Sequence, residues 1–299
     1  MAWQPDRLLP GFEALELPAP DDYDGRVVAT LVRLPSAMAP QGAVRGAVLY
    51  VHGFIDYFFQ RHMAERFAAE GYAFYALDLR KHGRSLLPHQ HPCFCKDVAE
   101  YYDDITRALE EIGTEVLLAG HSTGGLVCSL YKREGALRDR VRALWLNSPF
   151  FDWRDAFKGR LRVAQLLGWF SPFSSDPKAV LPAYVRSLHR NWDGEWDFDL
   201  ALKPLNGFPL YFGWVRGIFA AHHKVHAGLK LEVPVLSMHS DEADIILDWK
   251  QVARWSRTLG PDVTVLQFPG GLHDLALSRA EIREAVFSQL FAWAAKPFS

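Results

Sequence analysis

The sequence predicts an α/β protein: a mostly parallel sheet flanked by helices, with a helical cap insertion in the second half of the chain. Two observations support this prediction. Segments rich in β-branched residues alternate with segments whose apolar residues recur at helical spacing, which is typical of parallel strands joined by helices. A chain of 299 residues, 49% of them hydrophobic, is also long enough to bury one large core around such a sheet.

Short apolar runs mark the predicted strands, and amphipathic stretches that end near a glycine mark several of the helices. "GAVLYV" is an example of the first kind and "DVAEYYDDITRALEEIG" of the second. The predicted strands are residues 25–35, 46–51, 73–79, 115–120, 141–149, 233–239 and 263–269. The predicted helices are residues 62–72, 97–113, 126–135, 248–260 and the stretch from Arg279 onward.

The alternation stops between residues 150 and 232. This segment holds 16 aromatic residues in 83 positions, a larger share than the 13% of the whole chain, and five prolines interrupt its short helical patterns. Because it is too long for an ordinary loop, we predict an aromatic-rich helical cap at residues 150–232 on a core formed by residues 1–149 and 233–299. Its aromatic side chains either line a hydrophobic binding channel or form the cap's own small core.

Charge and composition narrow the class of protein. A net charge of −2 gives no electrostatic reason to expect nucleic acid or an anionic membrane as a partner. The chain shows no secretory signal and no apolar run long enough to span a bilayer. Cys93, Cys95 and Cys128 are too few for a disulfide framework, and the first two lack a second ligand pair for zinc. We therefore expect a cytoplasmic protein without a metal site, and the roles of the cysteines stay open.

The stretch "EVLLAGHSTGGLVCSLY", residues 115–131, places Ser122 between a predicted strand and a predicted helix. Its Gly-x-Ser-x-Gly pattern predicts a sharp turn that exposes the serine hydroxyl at the carboxyl end of the strand. Gly120 and Gly124 relieve crowding at this turn, because glycine carries no side chain. The helix behind the turn directs backbone N–H groups toward developing negative charge. The pattern therefore indicates that Ser122 is a nucleophile.

Four more segments accompany this motif: "YVHGF" at 50–54, "ALDLRKHGRS" at 76–85, "ADIILD" at 243–248 and "GGLHDL" at 270–275. Together with the motif around Ser122, they resemble the α/β-hydrolase superfamily. The subgroup to which the chain is most similar is the monoacylglycerol lipase and lysophospholipase-like esterases, the serine aminopeptidases of the S33 type. The resemblance implies the α/β-hydrolase fold, with the first segment as the oxyanion loop and the last two as the acid and histidine loops. Lys81 replaces the usual glycine of the second segment.

A serine hydroxyl is a poor nucleophile and needs a base that is itself oriented by a carboxylate. In this fold the three residues follow the chain order serine, acid, histidine, and His273 stands after the last predicted strand in "FPGGLHDL". We therefore predict Ser122 as the nucleophile and His273 as the base of a catalytic triad. The oxyanion hole should come from two backbone N–H groups, that of Thr123 after the nucleophile and that of Phe54 in the oxyanion loop.

The acid of the triad lies in "HSDEADIILD", which offers Asp241, Glu242, Asp244 and Asp248. Asp248 begins the following helix, where capping already explains an acidic residue. Asp241 lies only two residues beyond the predicted strand, which leaves little chain to turn toward the histidine. Asp244 is better placed, and it matches the acid loop of the subgroup that the chain resembles. We predict Asp244 as the acid, with Asp241 as the alternative.

These residues predict a serine carboxylic-ester hydrolase, an esterase or lipase that forms an acyl-enzyme. The aromatic cap indicates apolar acyl esters such as monoacylglycerols or lysophospholipids as substrates. The chemistry requires no cofactor and no metal, and the expected partner is a small-molecule ester. Transient contact with lipid surfaces is compatible with this function, and the oligomeric state stays open.

Two other functions stay open for the same residues. Asp56-Tyr57 stands where the lipase pattern usually has Glu-His, which leaves the assignment to glycerides unsettled. An aminopeptidase or amidase could use the same triad if Glu195, Asp197 or Asp199 held the ammonium group of its substrate. A non-catalytic ligand-binding protein on the same scaffold is the third interpretation.

Overall fold

The computed structural model describes residues 2–35, 44–176 and 182–297. Its strands are β1 (Gln4–Pro5), β2 (Glu13–Asp22), β3 (Gly25–Arg33), β4 (Gly46–Val51), β5 (Tyr72–Asp78), β6 (Val116–His121), β7 (Val141–Asn147), β8 (Ser175–Asp176), β9 (Leu210–Tyr211), β10 (Val235–His239) and β11 (Val263–Gln267). Its α-helices are α1 (Arg61–Ala69), α2 (Glu100–Ile112), α3 (Thr123–Glu134), α4 (Asp155–Leu167), α5 (Pro182–Leu188), α6 (Phe212–His226), α7 (Trp249–Ser256) and α8 (Ala280–Ala294).

One large sheet organises these elements. Its nine strands follow the order β1-β2-β3-β5-β4-β6-β7-β10-β11. From β5 to β11 all neighbouring strands are parallel, while β1, β2 and β3 add an antiparallel edge. The predicted fold class, a mostly parallel sheet flanked by helices, is confirmed.

Helices cover both faces of the sheet, and the side chains of β4 show how. Leu49 and Val51 point into a core layer shared with α2, α3 and α6. Val48 and Tyr50, which alternate with them, pack in the opposite layer against α1 and α8. A strand buried on both faces is apolar throughout, which is why β4 reads as a continuous hydrophobic run. Both faces are occupied, so the loops at the carboxyl ends of the parallel strands are where a site can form.

The sequence patterns missed β1 and β2, because no strand was predicted before residue 25. β2 pairs along β3, yet it contains Pro18 and Pro20, which lower the strand signal. Proline is tolerated there because β1 pairs only with Glu13 and Ala14, so the prolines lie on an outer edge without a neighbouring described strand. A missing N–H donor therefore costs little at these positions.

Lys81 stands where the resemblance has glycine, and its backbone keeps the glycine-like conformation with φ at 64°. The side chain is fully buried, so its charge requires compensation. Its Nζ lies 2.8 Å from a carboxylate oxygen of Asp22 and 2.8 Å from one of Asp24, and 4.0 Å from the ring centre of Tyr23. The turn between β2 and β3 thus supplies the charges that accommodate this substitution.

Residues 150–232 connect β7 to β10, its neighbour in the sheet. They contain α4, α5, α6 and the antiparallel pair of β8 and β9, while residues 177–181 lie outside the described residues. Residues 150–232 are called the insertion below. The division of the chain into a cap and a core stays a prediction. No helix in the described part of the chain is long and apolar enough to cross a membrane.

The three cysteines are unpaired and buried. Burial raises the pKa of the Cys93, Cys95 and Cys128 thiols. Cys95 and Cys128 belong to the apolar layer that contains α2 and α3. Buried in apolar surroundings, these cysteines contribute to packing.

Candidate active site

Ser122 is the single residue between the end of β6 at His121 and the start of α3 at Thr123. Its backbone lies at φ 51° and ψ −115°, a strained conformation for a residue with a side chain. Hydrogen bonds hold it there: its N–H donates to the Asn147 carbonyl at 3.0 Å, and its own carbonyl accepts from the Phe150 N–H at 3.0 Å. The turn therefore presents the hydroxyl beyond the carboxyl end of β6.

Two glycines allow the chain to cross itself at this turn. A Cβ atom on Gly120 would lie 2.6 Å from the carbonyl carbon of Gly124. A Cβ atom on Gly124 would lie 2.4 Å from the backbone oxygens of both Val51 and His52. Such distances are too short for carbon contacts, so both positions require glycine for packing reasons, as the sequence motif suggests.

His273 lies in the loop after β11 and joins the serine to a carboxylate. Its Nε2 is 3.0 Å from Ser122 Oγ, and its Nδ1 is 2.9 Å from Asp244 Oδ2. All three side chains are buried. With the Nδ1–H donating to the carboxylate, the Nε2 lone pair faces the hydroxyl, which is the tautomer that a general base needs. The structure thus brings together the three residues that the sequence predicted.

Asp244 is held in its position from two sides. Its Oδ1 accepts the backbone N–H groups of Ile246 at 2.8 Å and Leu247 at 2.9 Å, while Oδ2 faces His273. Burial by itself raises the pKa of this carboxyl, but the charge of His273 and these hydrogen bonds together lower the pKa below its ordinary value. Asp244 is therefore held as a carboxylate.

Asp241, the alternative acid, has a different role in the structure. Its Oδ1 accepts the backbone N–H groups of Ala243 at 3.0 Å and Gly270 at 3.0 Å, and these bonds lower its pKa. The side chain thereby ties the acid loop to the histidine loop. His273 takes its carboxylate partner from Asp244 instead.

The predicted oxyanion residues border the same cavity as the nucleophile. Phe54 and Thr123 line it together with Ser122 and His273. The loop after β4 passes directly beside the serine, since a Cβ atom on Gly53 would lie 3.3 Å from the Cβ of Ser122. Both backbone segments therefore border the nucleophile, and their role as oxyanion donors stays a proposal.

The cavity beside Ser122 has a volume of about 210 Å³ and a mostly apolar lining. Apolar side chains from the insertion and the acid loop form most of its wall: Phe150, Trp153, Phe157, Val185, Leu210, Trp214, Ile246 and Leu247. Asp56, Lys203 and Tyr184 add polar groups to the same lining. Such a cavity can accept a substrate that combines an apolar part with a polar part.

The pairing of Lys203 with Asp56 was not predicted, and the two residues form a buried ion pair in the lining of the cavity. Lys203 Nζ lies 2.8 Å from Asp56 Oδ1, and the side chains are 3% and 2% exposed. The partners are 147 residues apart in the chain. Lys203 lies in a part of the insertion without a recognisable motif, so only the fold reveals the pairing.

Asp56, His121 and Asp274 form a buried group whose ligand atoms are close enough to hold a metal ion. The carboxylates already have partners, because Asp56 pairs with Lys203 and Asp274 accepts the Asn147 amide at 2.7 Å. Burial lowers the pKa of His121 to about 4, and its Nδ1 contacts the carbonyl of Asn147. With an ammonium group on one carboxylate, these donors fit a metal ion poorly, and we assign none.

Comparison with known proteins identifies the family. The sequence profile of the serine aminopeptidase family S33 matches residues 42–279, most of the chain. The protein belongs to the S33 family. A monoacylglycerol lipase of Mycolicibacterium smegmatis is 31% identical to this S33 protein over a match that covers 44% of this chain and 48% of the lipase. The match thus spans about half the length of that relative.

Solved structures share the fold of the S33 protein. A soluble variant of the monoglyceride lipase of Saccharomyces cerevisiae superposes with a TM-score of 0.73 and 20% identity, covering 95% of this chain and 97% of the lipase. The monoacylglycerol lipase of Paleococcus ferrophilus gives a TM-score of 0.70 and 24% identity, covering 87% and 96%. At these identities the likeness concerns the fold.

The carboxylates considered for ammonium binding lie elsewhere in the S33 protein. Glu195 and Asp197 are 59% exposed at their side chains and pair with Arg283 and Arg190. Asp199 accepts the backbone N–H of Ala201. None of the three belongs to the described lining of the cavity. The expectation that they could hold a substrate ammonium beside Ser122 is therefore wrong.

The close approach of Gly124 to the backbone of Val51 and His52 can be tested by its effect on stability. Gly124→Ala should lower the free energy of unfolding by about 1–3 kcal/mol, because the added methyl collides with the backbone after β4. Gly159→Ala is the matched control, since this glycine lies within α4 and an added Cβ meets nothing within 4 Å. That substitution should stabilise the protein by up to about 1 kcal/mol. Urea unfolding measures both, and equal stabilities would contradict the close crossing.

Proposed function

We propose that this protein is a serine ester hydrolase that cleaves esters of apolar acyl groups, monoacylglycerols among them. One observation supports this most: the hydrogen-bonded series Asp244, His273 and Ser122 lies beside a mostly apolar cavity that also has polar groups in its lining. A monoacylglycerol likewise combines an apolar chain with a polar alcohol. The partial match to a monoacylglycerol lipase supports the same substrate class.

The proposed reaction proceeds through an acyl-enzyme. Ser122 Oγ attacks the ester carbonyl carbon while His273 Nε2 takes its proton, and the N–H groups of Phe54 and Thr123 donate to the oxyanion. The tetrahedral intermediate collapses, and the imidazolium returns the proton to the departing alcohol. Water then attacks the acyl group with the same base, which releases the acid and restores the serine. Asp244 fixes the tautomer of His273 and stabilises its imidazolium form.

We rank monoacylglycerols above lysophospholipids as substrates. The partial match to a monoacylglycerol lipase supports this order. In the described lining, Lys203 pairs with Asp56, so its charge is already neutralised. Arg154 donates to the Ile245 carbonyl at 2.8 Å.

The exposed side of the insertion favours contact with a lipid surface, where such substrates accumulate. Val163, Leu166, Trp169 and Phe170 are 60%, 62%, 67% and 82% exposed. Exposed apolar patches of this kind mark interaction sites. Phe157, on the same helix as the first two, is both exposed and part of the cavity wall. We propose that this patch docks transiently on lipid. The cytoplasmic location of the protein stays a prediction.

A comparison of substrates distinguishes the proposed ester hydrolysis from the aminopeptidase alternative. The protein should hydrolyse p-nitrophenyl butyrate and a monoacylglycerol. It should leave aminoacyl-naphthylamides intact, because the one carboxylate in the described lining of the cavity, Asp56, is already paired with Lys203. Ser122→Ala should lower kcat for the esters by roughly a million-fold, since the members of a triad act as a unit. Cleavage of the naphthylamides alone would contradict the proposal, and ester turnover by Ser122→Ala would remove the serine from the mechanism.

The assignment of the acid has its own test. Asp244→Asn should lower kcat for p-nitrophenyl butyrate by on the order of ten-thousand-fold at neutral pH, because the imidazole loses its orienting carboxylate. Asp241→Asn serves as the matched control in the same loop and should keep kcat within about tenfold of wild type, since the amide oxygen can still accept the N–H groups of Ala243 and Gly270. The reverse pattern of losses would transfer the role to Asp241.

Contact with lipid can be measured apart from catalysis. Leu166→Ser combined with Phe170→Ser should weaken binding to phosphatidylcholine vesicles at least roughly tenfold, because two apolar side chains no longer enter the interface. Turnover of the water-soluble ester should stay unchanged. Val44→Ser, an exposed apolar residue outside the insertion, is the control. Vesicle flotation that is equal for all variants would rule out the patch as the docking surface.

A further inference from the structure

The loop after β4 contains a strained residue next to the predicted oxyanion donor. Ile55 follows Phe54 and has φ at 50°. A β-branched side chain disfavours this left-handed conformation strongly, so the surrounding structure must hold it. The direction of the Phe54 N–H depends on the backbone around it, and the contacts that hold Ile55 therefore bear on the oxyanion hole.

The insertion holds this loop on both sides of Ile55. On one side, the ring of Phe54 stacks on Trp214 of α6, with ring centres 3.9 Å apart and planes inclined by 24°. On the other side, Asp56 Oδ1 meets Lys203 Nζ at 2.8 Å. Both contacting residues, Trp214 and Lys203, lie in the insertion, whereas the loop itself follows strand β4 of the large sheet. The strained backbone is thus fixed by a part of the chain that is remote in sequence.

The ion pair is the more directional of the two contacts. The two side chains are almost fully buried, and Lys203 Nζ lies 5.4 to 5.6 Å from the ring centres of Phe59, Tyr184 and Phe198. Electrostatic attraction is stronger in such surroundings than at a surface. Asp56 Oδ1 also accepts the N–H of Tyr57 at 3.0 Å, so the carboxylate links the lysine directly to the loop backbone. The ion pair therefore connects the insertion to the loop backbone through a single carboxylate.

We propose that Lys203 is a positioning residue for the reaction: through Asp56 it fixes the loop backbone so that the Phe54 N–H meets the oxyanion of the transition state. This inference rests on the proposed ester hydrolysis. It gives the insertion a role in the chemical step in addition to substrate choice. The expected signature is a loss in kcat without a comparable change in KM, because the oxyanion forms only after the substrate is bound.

The decisive variant removes both charges at once. Lys203→Met alone would leave the buried carboxylate of Asp56 unpaired and destabilise the fold, whereas Lys203→Met combined with Asp56→Asn removes both partners of the ion pair. The nearby carboxylate of Asp274 loses the charge of Lys203 in both variants but keeps its hydrogen bonds from Asn147 and Ala276. For this double variant we expect kcat for p-nitrophenyl butyrate to fall about tenfold to a hundredfold, less than the loss of a complete oxyanion donor. KM should stay within about twofold. Inhibition by butylboronic acid, which forms a tetrahedral adduct with the serine, should weaken in parallel with kcat.

Lys203→Arg is the second variant, and it keeps a cation opposite Asp56 and hence the balance of buried charge. Its kcat should stay within about threefold of wild type. Lys224→Met combined with Glu134→Gln is the matched control, since this pair also has a 2.8 Å contact but is partly exposed and remote from the described lining of the cavity. The control should leave kcat, KM and boronate inhibition unchanged. Urea unfolding monitors the folded fraction of every variant.

Each outcome decides the matter. Wild-type kcat in the folded double variant overturns the inference, and so does a rise in KM at constant kcat, which would make Lys203 a substrate-binding residue. An arginine variant as impaired as the double variant, at wild-type stability, also overturns it. Absence of ester hydrolysis in the wild-type protein would instead refute the proposed function, so the two failures are distinguishable.

Discussion

The close approach of α3 to the end of β4 is the constraint on which the rest of the site depends. At Gly124 the helix backbone lies so near the carbonyl groups of Val51 and His52 that no side chain fits. Because α3 starts there, Ser122 must turn sharply, and the loop after β4 must pass beside it. β7, β10 and β11 then place their carboxyl ends along the same edge, which brings the acid and histidine loops within hydrogen-bonding distance of the serine.

The sequence predicted those parts that local patterns encode. Parallel strands buried on both faces appear as apolar runs, and a serine turn needs small residues at fixed offsets, so the sheet and Ser122 could both be recognised. His273 and Asp244 follow strands whose order along the chain is fixed by the fold, and their neighbours resemble known loops. Each of these signals lies within a few residues of the feature that it predicts.

The parts that were missed depend on contacts between distant residues. The outer strand β2 carries prolines that only its position at an open edge makes harmless. The Lys203–Asp56 pair joins a segment without a motif to a loop 147 residues away. The acidic cluster of Glu195, Asp197 and Asp199 was expected to face the substrate, because it lies in the segment predicted to cover the site. In the structure, none of the three belongs to the described lining of the cavity. Local patterns carry no information about which surface a remote segment will cover.

The burial of all three cysteines gives the protein a practical property for spectroscopy. Thiol reagents react with exposed thiolates, and these thiols are both inaccessible and held protonated by their apolar surroundings. A single cysteine introduced on the exposed side of α4 would therefore be labelled selectively, without removal of native residues. A fluorophore at that position would report the polarity around the helix, and with it the arrival of a lipid surface, in an otherwise unmodified chain.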